Sequence, residues 1–230
     1  GVAVVVSSNG NVIGANGDAS AGEANEGNRI AFNGQDGVFL GSTTSDSNRI
    51  SQNSIFSNGT TAADLGIDLA LNGVTANDTG DPDNGPNEGQ NFPLINPTFG
   101  SDFMGGTLNS TPSMTFRIEG YANAACDMSG NGEGEVYLGA LTTTTDGSGN
   151  ANWLGIPTSN TQGYRYFTAI AIDATGNTSE FSPCVGYPLI VDSTDPSTIF
   201  LDQGHLLAEG ATIGDRFLLR LPVPLTGAET

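Results

Sequence analysis

The chain contains no lysine, a single histidine and only six arginines, against 25 acidic residues in a length of 230. The formal net charge of −19 argues against binding to nucleic acid or insertion into anionic membranes, because phosphate groups are contacted by basic side chains. His205 has no evident partner, so a Ser-His-Asp triad has no support, and no Cys/His cluster is available for zinc. Such an acidic surface instead suits divalent cations or high salt.

Long apolar runs and helical periodicity are also missing. No stretch approaches the roughly 18 apolar residues that a membrane-spanning helix needs. The chain opens Gly1-Val2-Ala3-Val4 without a basic leader, so we expect a mature or trimmed product. Regular apolar runs such as 167–172 argue against a disordered acidic chain.

Cysteine is scarce, with only Cys126 and Cys184 present. They lie at opposite ends of one apparent domain, which predicts a disulfide in an oxidising compartment. The chain-entropy description gives such a closure about 4 kcal/mol. Two buried free thiols remain the alternative.

A short phrase, Asn-x-Ile, recurs at Asn11, Asn28 and Asn48, at intervals of 17 and 20 residues. Asn and Gly punctuate short apolar segments between these copies, as turns with a left-handed backbone require. A period near twenty predicts a coil whose turns stack on one another. An antiparallel sheet with Asn-Gly turns is the alternative.

Stacking at this period would align equivalent side chains of successive turns. We expect Asn28 over Asn48 and Ile30 over Ile50, with Asn33 over Asn53. The side-chain amides would then hydrogen-bond along the stack as an asparagine ladder.

The residues that carry these phrases resemble a known family. The runs 27–30, 48–58 and 65–69 resemble right-handed parallel β-helix repeat proteins of secreted bacterial type, with about three turns. The segments 77–93, 125–134 and 173–182 resemble the closing segment and the following Ig-like sandwich module of those proteins. The resemblance implies an all-β architecture and an extracellular setting. It implies no single activity, because the family includes adhesins, surface proteins and carbohydrate-active enzymes.

We therefore predict an all-β chain, with a short right-handed parallel β-helix followed by an antiparallel Ig-like β-sandwich. The predicted regions are a coil at 1–75, an acidic linker loop at 76–91, a sandwich at 92–188 and a tail at 189–230. The predicted sandwich strands are Phe92–Ile95, Met114–Tyr121, Glu135–Thr143, Asn150–Leu154, Tyr164–Ile172 and Ser179–Ser182. Alternation places Phe116 and Ile118 on one face.

The predicted linker loop contains the densest group of acidic residues. Asp78, Asp81, Asp83 and Glu88 offer oxygen ligands on a Gly-rich loop, which suits Ca²⁺. The spacing does not fit an EF-hand, because the sixth position from Asp81 is Pro86 rather than Gly. A solvated acidic turn is the alternative.

Two other acidic groups are candidates of the same kind. Asp127, Glu133 and Glu135 form a second cluster. Asp173, Asn177 and Glu180 predict a hairpin turn with Asx hydrogen bonds rather than a metal site.

Enzyme activity has little support in the sequence. A lyase site on a β-helix needs a basic residue, and the coil offers only Arg29 and Arg49, whose spacing predicts an exposed arginine stack or ion pairs. Glycoside hydrolysis needs two convergent carboxylates, and Asp36, Asp46 and Asp68 fall on different turns. We therefore expect no catalysis by this chain.

Open coil ends carry unpaired backbone groups that are normally capped. We therefore predict an extracellular structural protein that self-associates, as a filament or surface-layer subunit stabilised by Ca²⁺. The residues predicted to carry the contact are Val2, Val4, Phe217, Leu219 and Leu221.

Two other functions stay open. The first is a carbohydrate-binding or adhesin module that contacts polysaccharide, for which Phe32, Phe39 and Phe56 are candidates, although their apolar neighbours favour a place in the core. The second is a polysaccharide lyase or hydrolase fragment.

Overall fold

The protein is all-β in the computed structural model, which describes residues 1–18, 20, 22–70, 72–96, 102–159, 161–186, 200–201 and 205–206. Two compact units are present, Gly1–Gly186 and Tyr187–Thr230. The strands are, in chain order, β1 (Val2–Val4), β2 (Val12–Gly14), β3 (Arg29–Ala31), β4 (Val38–Leu40), β5 (Arg49–Ser51), β6 (Ser54–Phe56), β7 (Ile67–Leu69), β8 (Leu94–Ile95), β9 (Phe103–Asn109), β10 (Thr115–Asn123), β11 (Val136–Thr144), β12 (Asn150–Pro157), β13 (Tyr166–Ile172), β14 (Val185–Gly186), β15 (Phe200–Leu201) and β16 (His205–Leu206).

Helix is limited, in the described residues, to two 3₁₀ turns, Glu23–Asn25 and Pro86–Gly89. Neither has the length or apolarity of a membrane span. In the second unit, β15 and β16 form an antiparallel pair.

Strands β1–β7, called the coil below, are each three residues long, and the parallel pairs join strands that are three apart in chain order. Three columns result, β1-β4-β7, β2-β5 and β3-β6. A single residue with positive φ turns the chain after β3, β5 and β6, namely Phe32, Gln52 and Ser57 at φ +59°, +56° and +53°. One left-handed residue gives a sharp corner between two short strands.

The predicted stacking exists, but its register was wrong. Ile30 lies opposite Ile55 instead of Ile50, and the amide of Asn28 donates to the Oδ1 atom of Asn53, 25 residues on. The phrase Asn53-Ser54-Ile55 is a further copy that the sequence analysis did not count. Each turn therefore contains the phrase at more than one corner, so the interval between copies is shorter than a full turn.

The other two asparagine pairs follow the corrected register. Asn33 donates to Oδ1 of Asn58 at 2.6 Å, and Asn11 donates to Oδ1 of Asn48 at 2.7 Å. The second pair spans 37 residues, because the loop after β2 is much longer than the corner after β5. The predicted stack of Arg29 on Arg49 is wrong for the same reason, since they lie in different columns.

Strands β8–β14, called the antiparallel region below, form two sheets in the orders β11-β10-β13-β14 and β12-β9-β8. The sheets pack closely at Gly120, where a Cβ atom would lie 2.9 Å from side-chain atoms of Ile156 and Met104. Phe116 and Ile118 are fully buried, so the predicted alternation on β10 is confirmed.

Two strand predictions in this region differ from the structure. Strand β9 was missed because Gly105 and Gly106 interrupt its pattern, although a Cβ at Gly106 would lie 1.8 Å from the carbonyl oxygen of Leu94. The predicted strand Ser179–Ser182 is not a strand. The hydroxyls of Ser179 and Ser182 accept the N–H groups of Ala171 and Ala169 at 3.0 Å, in place of backbone carbonyls.

The coil and the antiparallel region share one hydrophobic core within Gly1–Gly186. Coil residues such as Leu40 and Ile55 belong to the same buried cluster as Tyr121, Ile170 and Phe181 of the antiparallel region. The antiparallel region is therefore packed on the coil, and the contact between them decides which strand edges stay free.

Candidate functional site

The outer edges of β1, β2 and β3 have no strand partner among the described residues, and we call them together the free edge. In β2, the carbonyl of Asn11 accepts Arg49 N–H, and Ala15 N–H donates to Ser51. Because neighbouring peptide groups of a strand point in opposite directions, the N–H and C=O of Val12 face away from β5.

The same alternation leaves unpaired groups on the other two columns. Val2 N–H donates to Gly37, so the peptide groups of Ala3 point outward on β1. On β3, Ser54 N–H donates to the carbonyl of Asn28, so the N–H and C=O groups of Arg29 and Ala31 face away from β6. The free edge is a template for further strand pairing.

The predicted self-association residues divide between surface and core. Val2 is 37 % exposed, whereas Val4 is 6 % exposed and packs in the core cluster. Val2 and Val4 lie two residues apart and share one face of β1, but the core cluster covers Val4 and leaves Val2 at the surface. Phe217, Leu219 and Leu221 lie outside the described residues.

The opposite end of the coil, the outer edges of β5, β6 and β7, is the covered edge. On β5, Thr178 Oγ1 accepts Ile50 N–H and a Glu119 oxygen accepts Gln52 N–H, both at 2.9 Å. Asn87, from the segment predicted to be a linker, accepts Asn48 N–H at 2.9 Å and donates to the Asn48 carbonyl at 2.8 Å.

The edges of β6 and β7 are covered in the same way. Ile55 exchanges two backbone hydrogen bonds of 2.8 Å with Gly134, and Glu133 accepts the N–H and the side-chain amide of Asn58. On β7, Glu180 accepts Leu69 N–H at 3.0 Å. Each column of the coil therefore ends on a glutamate of the antiparallel region.

Glu119 is the most heavily bonded of these three glutamates, and it is fully buried. One carboxylate oxygen accepts the hydroxyl of Ser51 and Arg117 Nε, both at 2.7 Å. The other accepts Gln52 N–H and, at 2.7 Å, the hydroxyl of Tyr121. Four donors around one buried carboxylate offset much of its desolvation cost.

Glu133 and Glu180 accept hydrogen bonds from fewer residues than Glu119 does. Burial raises the pKa of Glu133 to about 7, against the opposing hydrogen bonds from Asn58 and with a smaller contribution from the charge of Asp127. Burial likewise raises the pKa of Glu180 to about 7, and the charge of Asp68 adds to it. These carboxyl groups gain a proton close to neutral pH.

The predicted calcium loop brings three of its four residues together. Ligand atoms of Asp78, Asp81 and Asp83 all lie within 4.8 Å of one another. Oδ1 of Asp78 is buried without a hydrogen-bond partner. Burial, followed by the charges of Asp83 and Asp78, raises the pKa of Asp81 to about 6. Glu88 is exposed and does not belong to this group.

The structure contains a second acidic group that the sequence analysis missed. Ligand atoms of Asp18, Glu23 and Glu26 lie within 4.8 Å of one another in the loop between β2 and β3. Glu23 accepts Gly17 N–H and Glu26 accepts Asn16 N–H. The signal was available, since three acidic residues fall within nine positions of a Gly- and Ala-rich loop.

The other acidic candidates make hydrogen bonds within the protein and do not form a cluster of metal ligands. Glu133 and Glu135 line a cavity of about 200 Å³ together with Asp127, but Glu133 is engaged by Asn58 and their ligand atoms are not among the groups that meet within 4.8 Å. Asp173 accepts the N–H groups of Thr175 and Asn177 at 2.8 Å, so the predicted Asx turn is confirmed for these residues. Glu180 lies outside the turn, because its carboxylate accepts Leu69 N–H.

An aromatic group lies on the outer wall of β3 and β6. Phe32 is 73 % exposed, and its ring meets Phe56 edge to face at 5.5 Å. The guanidinium carbon of Arg29 lies 4.9 Å from the centroid of Phe56. The preference for Phe32, Phe39 and Phe56 as core residues was wrong, because Phe32 follows the strand at a corner and the other two are flanked by inward-facing neighbours.

Cys126 and Cys184 form a disulfide that closes a sequence separation of 58 residues, so the predicted pairing is confirmed. It joins the loop after β10 to the residues just before β14. No protein-family model matches the chain, and no curated protein matches its sequence. The function must therefore be argued from the geometry of the molecule.

Proposed function

We propose that this chain is an extracellular structural module, a short right-handed parallel β-helix closed at one end by an Ig-like sandwich, that self-associates through its free edge. The proposal assigns it no catalysis. The observation that carries it is the difference between the two ends of the coil. Every column of the covered edge is hydrogen-bonded, whereas the outward peptide groups of Ala3, Val12 and Ala31 have no strand partner in the part of the chain that the structure describes. The disulfide between Cys126 and Cys184 supports the extracellular setting.

Sedimentation velocity over a wide range of protein concentration tests self-association. We expect the weight-average sedimentation coefficient to rise with concentration, because open strand edges pair when a partner strand is available. A constant monomer value over the whole range, with and without Ca²⁺, would overturn the proposal.

We propose further that Asp78, Asp81 and Asp83 hold Ca²⁺. Three carboxylates within 4.8 Å repel one another in the absence of a cation, and the buried, unpartnered Oδ1 of Asp78 offers a ligand atom that nothing in the protein uses. Carboxylate oxygens are the ligands that Ca²⁺ prefers.

Thermal unfolding in Ca²⁺ and in chelator, at one ionic strength, tests the cation site. Saturation at 100 times the dissociation constant corresponds to about 2.7 kcal/mol of stabilisation. We expect Asp83→Asn to abolish the response and the exposed control Asp146→Asn to retain it. An equal response to added NaCl would show general screening of the acidic surface instead.

A specific observation favours a second function, carbohydrate binding. Exposed phenyl rings stack on the apolar faces of sugars, and Phe32 presents such a ring beside Arg29 and Phe56. A glycan array with the native chain, Phe32→Ala and the exposed control Val6→Ala tests it. Binding lost only in Phe32→Ala supports this function, and no binding by the native chain rejects it.

A further inference from the structure

We infer that the free edge docks on the free edge of a second copy of this chain, giving a closed two-fold dimer. The inference rests on the self-association proposed above and adds which surfaces meet. In a two-fold contact the same patch of both copies faces itself, and the assembly stops at two. A head-to-tail contact would instead continue into a filament.

The covered edge removes the surface that a head-to-tail coil would need. Gln52, Asn58 and Leu69 already donate their N–H groups to Glu119, Glu133 and Glu180. A second copy could pair there only by displacing three buried carboxylates. Stacking of one coil on the covered end of the next is therefore blocked.

The described edges of the antiparallel region are poor acceptors as well. Strands β8 and β14 are two residues long. Strand β12 contains an irregularity between Leu154 and Ile156 and ends at Pro157, and prolines and irregularities weaken edge pairing. On β11, the hydroxyl of Thr143 donates to the carbonyl of Asn152 on β12.

The free edge, in contrast, has a composition suited to meeting its own copy. Residues 1–17 contain no ionisable side chain, in a chain with 25 acidic residues, and β3 adds the positive charge of Arg29. Two molecules of net charge −19 approach with the least repulsion where acidic side chains are missing. The acidic residues that border the free edge along the chain are Asp18, Glu23 and Glu26, in the loop between β2 and β3.

Apolar exposure at the free edge supports the same partner. Val12 on β2 is 52 % exposed, and Val5 and Val6, which follow β1, are 44 % and 85 % exposed. Natural free edges are usually protected by lysine, proline or charge, and none of these protects residues 1–17. A strand with the same apolar and uncharged character is the partner that matches this surface.

An experiment that mixes the native chain with a variant whose β2 edge is blocked distinguishes a two-fold dimer from other kinds of self-association. Val12→Pro removes an N–H group that faces away from β5 and leaves the pairing of β2 with β5 intact, while Val12→Thr keeps that N–H group. Val12→Glu also keeps it and places two like charges across a two-fold contact. Circular dichroism and melting temperature check that each variant is folded.

We expect the native chain and Val12→Thr to form dimers and nothing larger in sedimentation velocity. Val12→Pro and Val12→Glu should dissociate at least about tenfold more readily. An affinity-tagged Val12→Pro chain should fail to capture the native chain, because a two-fold contact needs an intact edge on both copies.

Other results would overturn the inference in distinguishable ways. Capture of native chains by tagged Val12→Pro, or growth into a ladder of larger species, would reject the two-fold contact and leave self-association standing. Dimers of Val12→Pro as stable as the native dimer would reject the free edge as the interface. Monomers at every concentration would reject both the inference and the proposed function.

Discussion

The two ends of the coil have the same backbone geometry but different neighbours. At the free edge, peptide groups of Val12 and Ala3 have no strand partner among the described residues. At the covered edge, side chains of the antiparallel region occupy the positions that another strand would take. The comparison shows that a strand edge can be terminated without a strand, provided that acceptors are placed at the spacing of its N–H groups.

The covered edge relies mostly on acceptors. Glu119, Glu133 and Glu180 accept N–H groups of the coil, while donation to coil carbonyls comes from the amide of Asn87 and the N–H of Gly134. Carboxylates suit this role because they accept several hydrogen bonds at once. They also introduce buried titratable groups, so the stability of the covered edge depends on pH.

The largest expected effect is the loss of Glu119. Glu119→Ala leaves the buried hydroxyls of Ser51 and Tyr121 and the partly exposed guanidinium of Arg117 without their acceptor. Each buried donor left without a partner costs about 1–3 kcal/mol. Denaturant unfolding measures the change in the free energy of unfolding. The matched control at the free edge is Val12→Thr, which we expect to change it by less than about 0.5 kcal/mol.

If Glu119→Ala and Val12→Thr lowered the free energy of unfolding equally, the covered edge would contribute no more to stability than the free edge. A loss for Glu119→Ala below about 1 kcal/mol would show that the carboxylate contributes little beyond the packing around it.

The asparagine pair of Asn28 and Asn53 gives an intermediate effect. The amide of Asn53 accepts two N–H groups of Asn28 and donates to the Ile13 carbonyl at 2.8 Å. Asn53→Ala should cost about 1–3 kcal/mol, because buried groups lose their partners. Asn28 is exposed, so Asn28→Ala should cost less than about 1 kcal/mol. Equal losses of unfolding free energy would contradict the view that Asn53 contributes more to stability than the exposed Asn28.

The smallest expected effect is a pH dependence located at the covered edge. The pKa values of Glu133 and Glu180 are raised from 4.5 to about 7, so the folded state binds more protons than the unfolded state between these values. The stabilisation is complete below about pH 4.5 and is lost as the pH rises through about 7. The melting temperature in chelator should be higher at pH 5 than at pH 8, by about 5 °C.

The double variant Glu133→Gln, Glu180→Gln should reduce this pH dependence, because glutamine cannot titrate. The part that remains comes from Asp81, because its pKa is raised to about 6 and this shift acts in the same direction. Glu135→Gln is the control that should keep the full pH dependence. A melting temperature that rises from pH 5 to pH 8 in the native chain would show that ionised glutamates stabilise the covered edge, which contradicts the direction inferred from burial.

Much of the architecture follows from local patterns. Parallel pairing in the first 70 residues was predictable from the recurring Asn-x-Ile phrase. Strand β10 was predictable from alternation, and strand β13 was predictable from its apolar run. The disulfide was predictable because only one pairing of two cysteines exists. Three of four predicted calcium ligands meet because they are close along the chain.

The register was not predictable, because Asn28, Asn48 and Asn53 begin nearly identical phrases in two columns. Strand β9 was hidden by Gly105 and Gly106, whose small size matters only once Leu94 is placed beside them. The roles of Glu119 and Glu180 were also hidden, because an isolated glutamate in a strand or turn gives no local sign of what it faces.

The sequence by itself determined the all-β class, the asparagine stacks and the concentration of acidic residues, because these depend on spacing along the chain. Tertiary structure alone decided which edge of the coil is covered, since the donors of β5, β6 and β7 and the glutamates that accept from them are 67 to 111 residues apart. Such contacts form only when the core shared by both regions fixes the antiparallel region on one end of the coil.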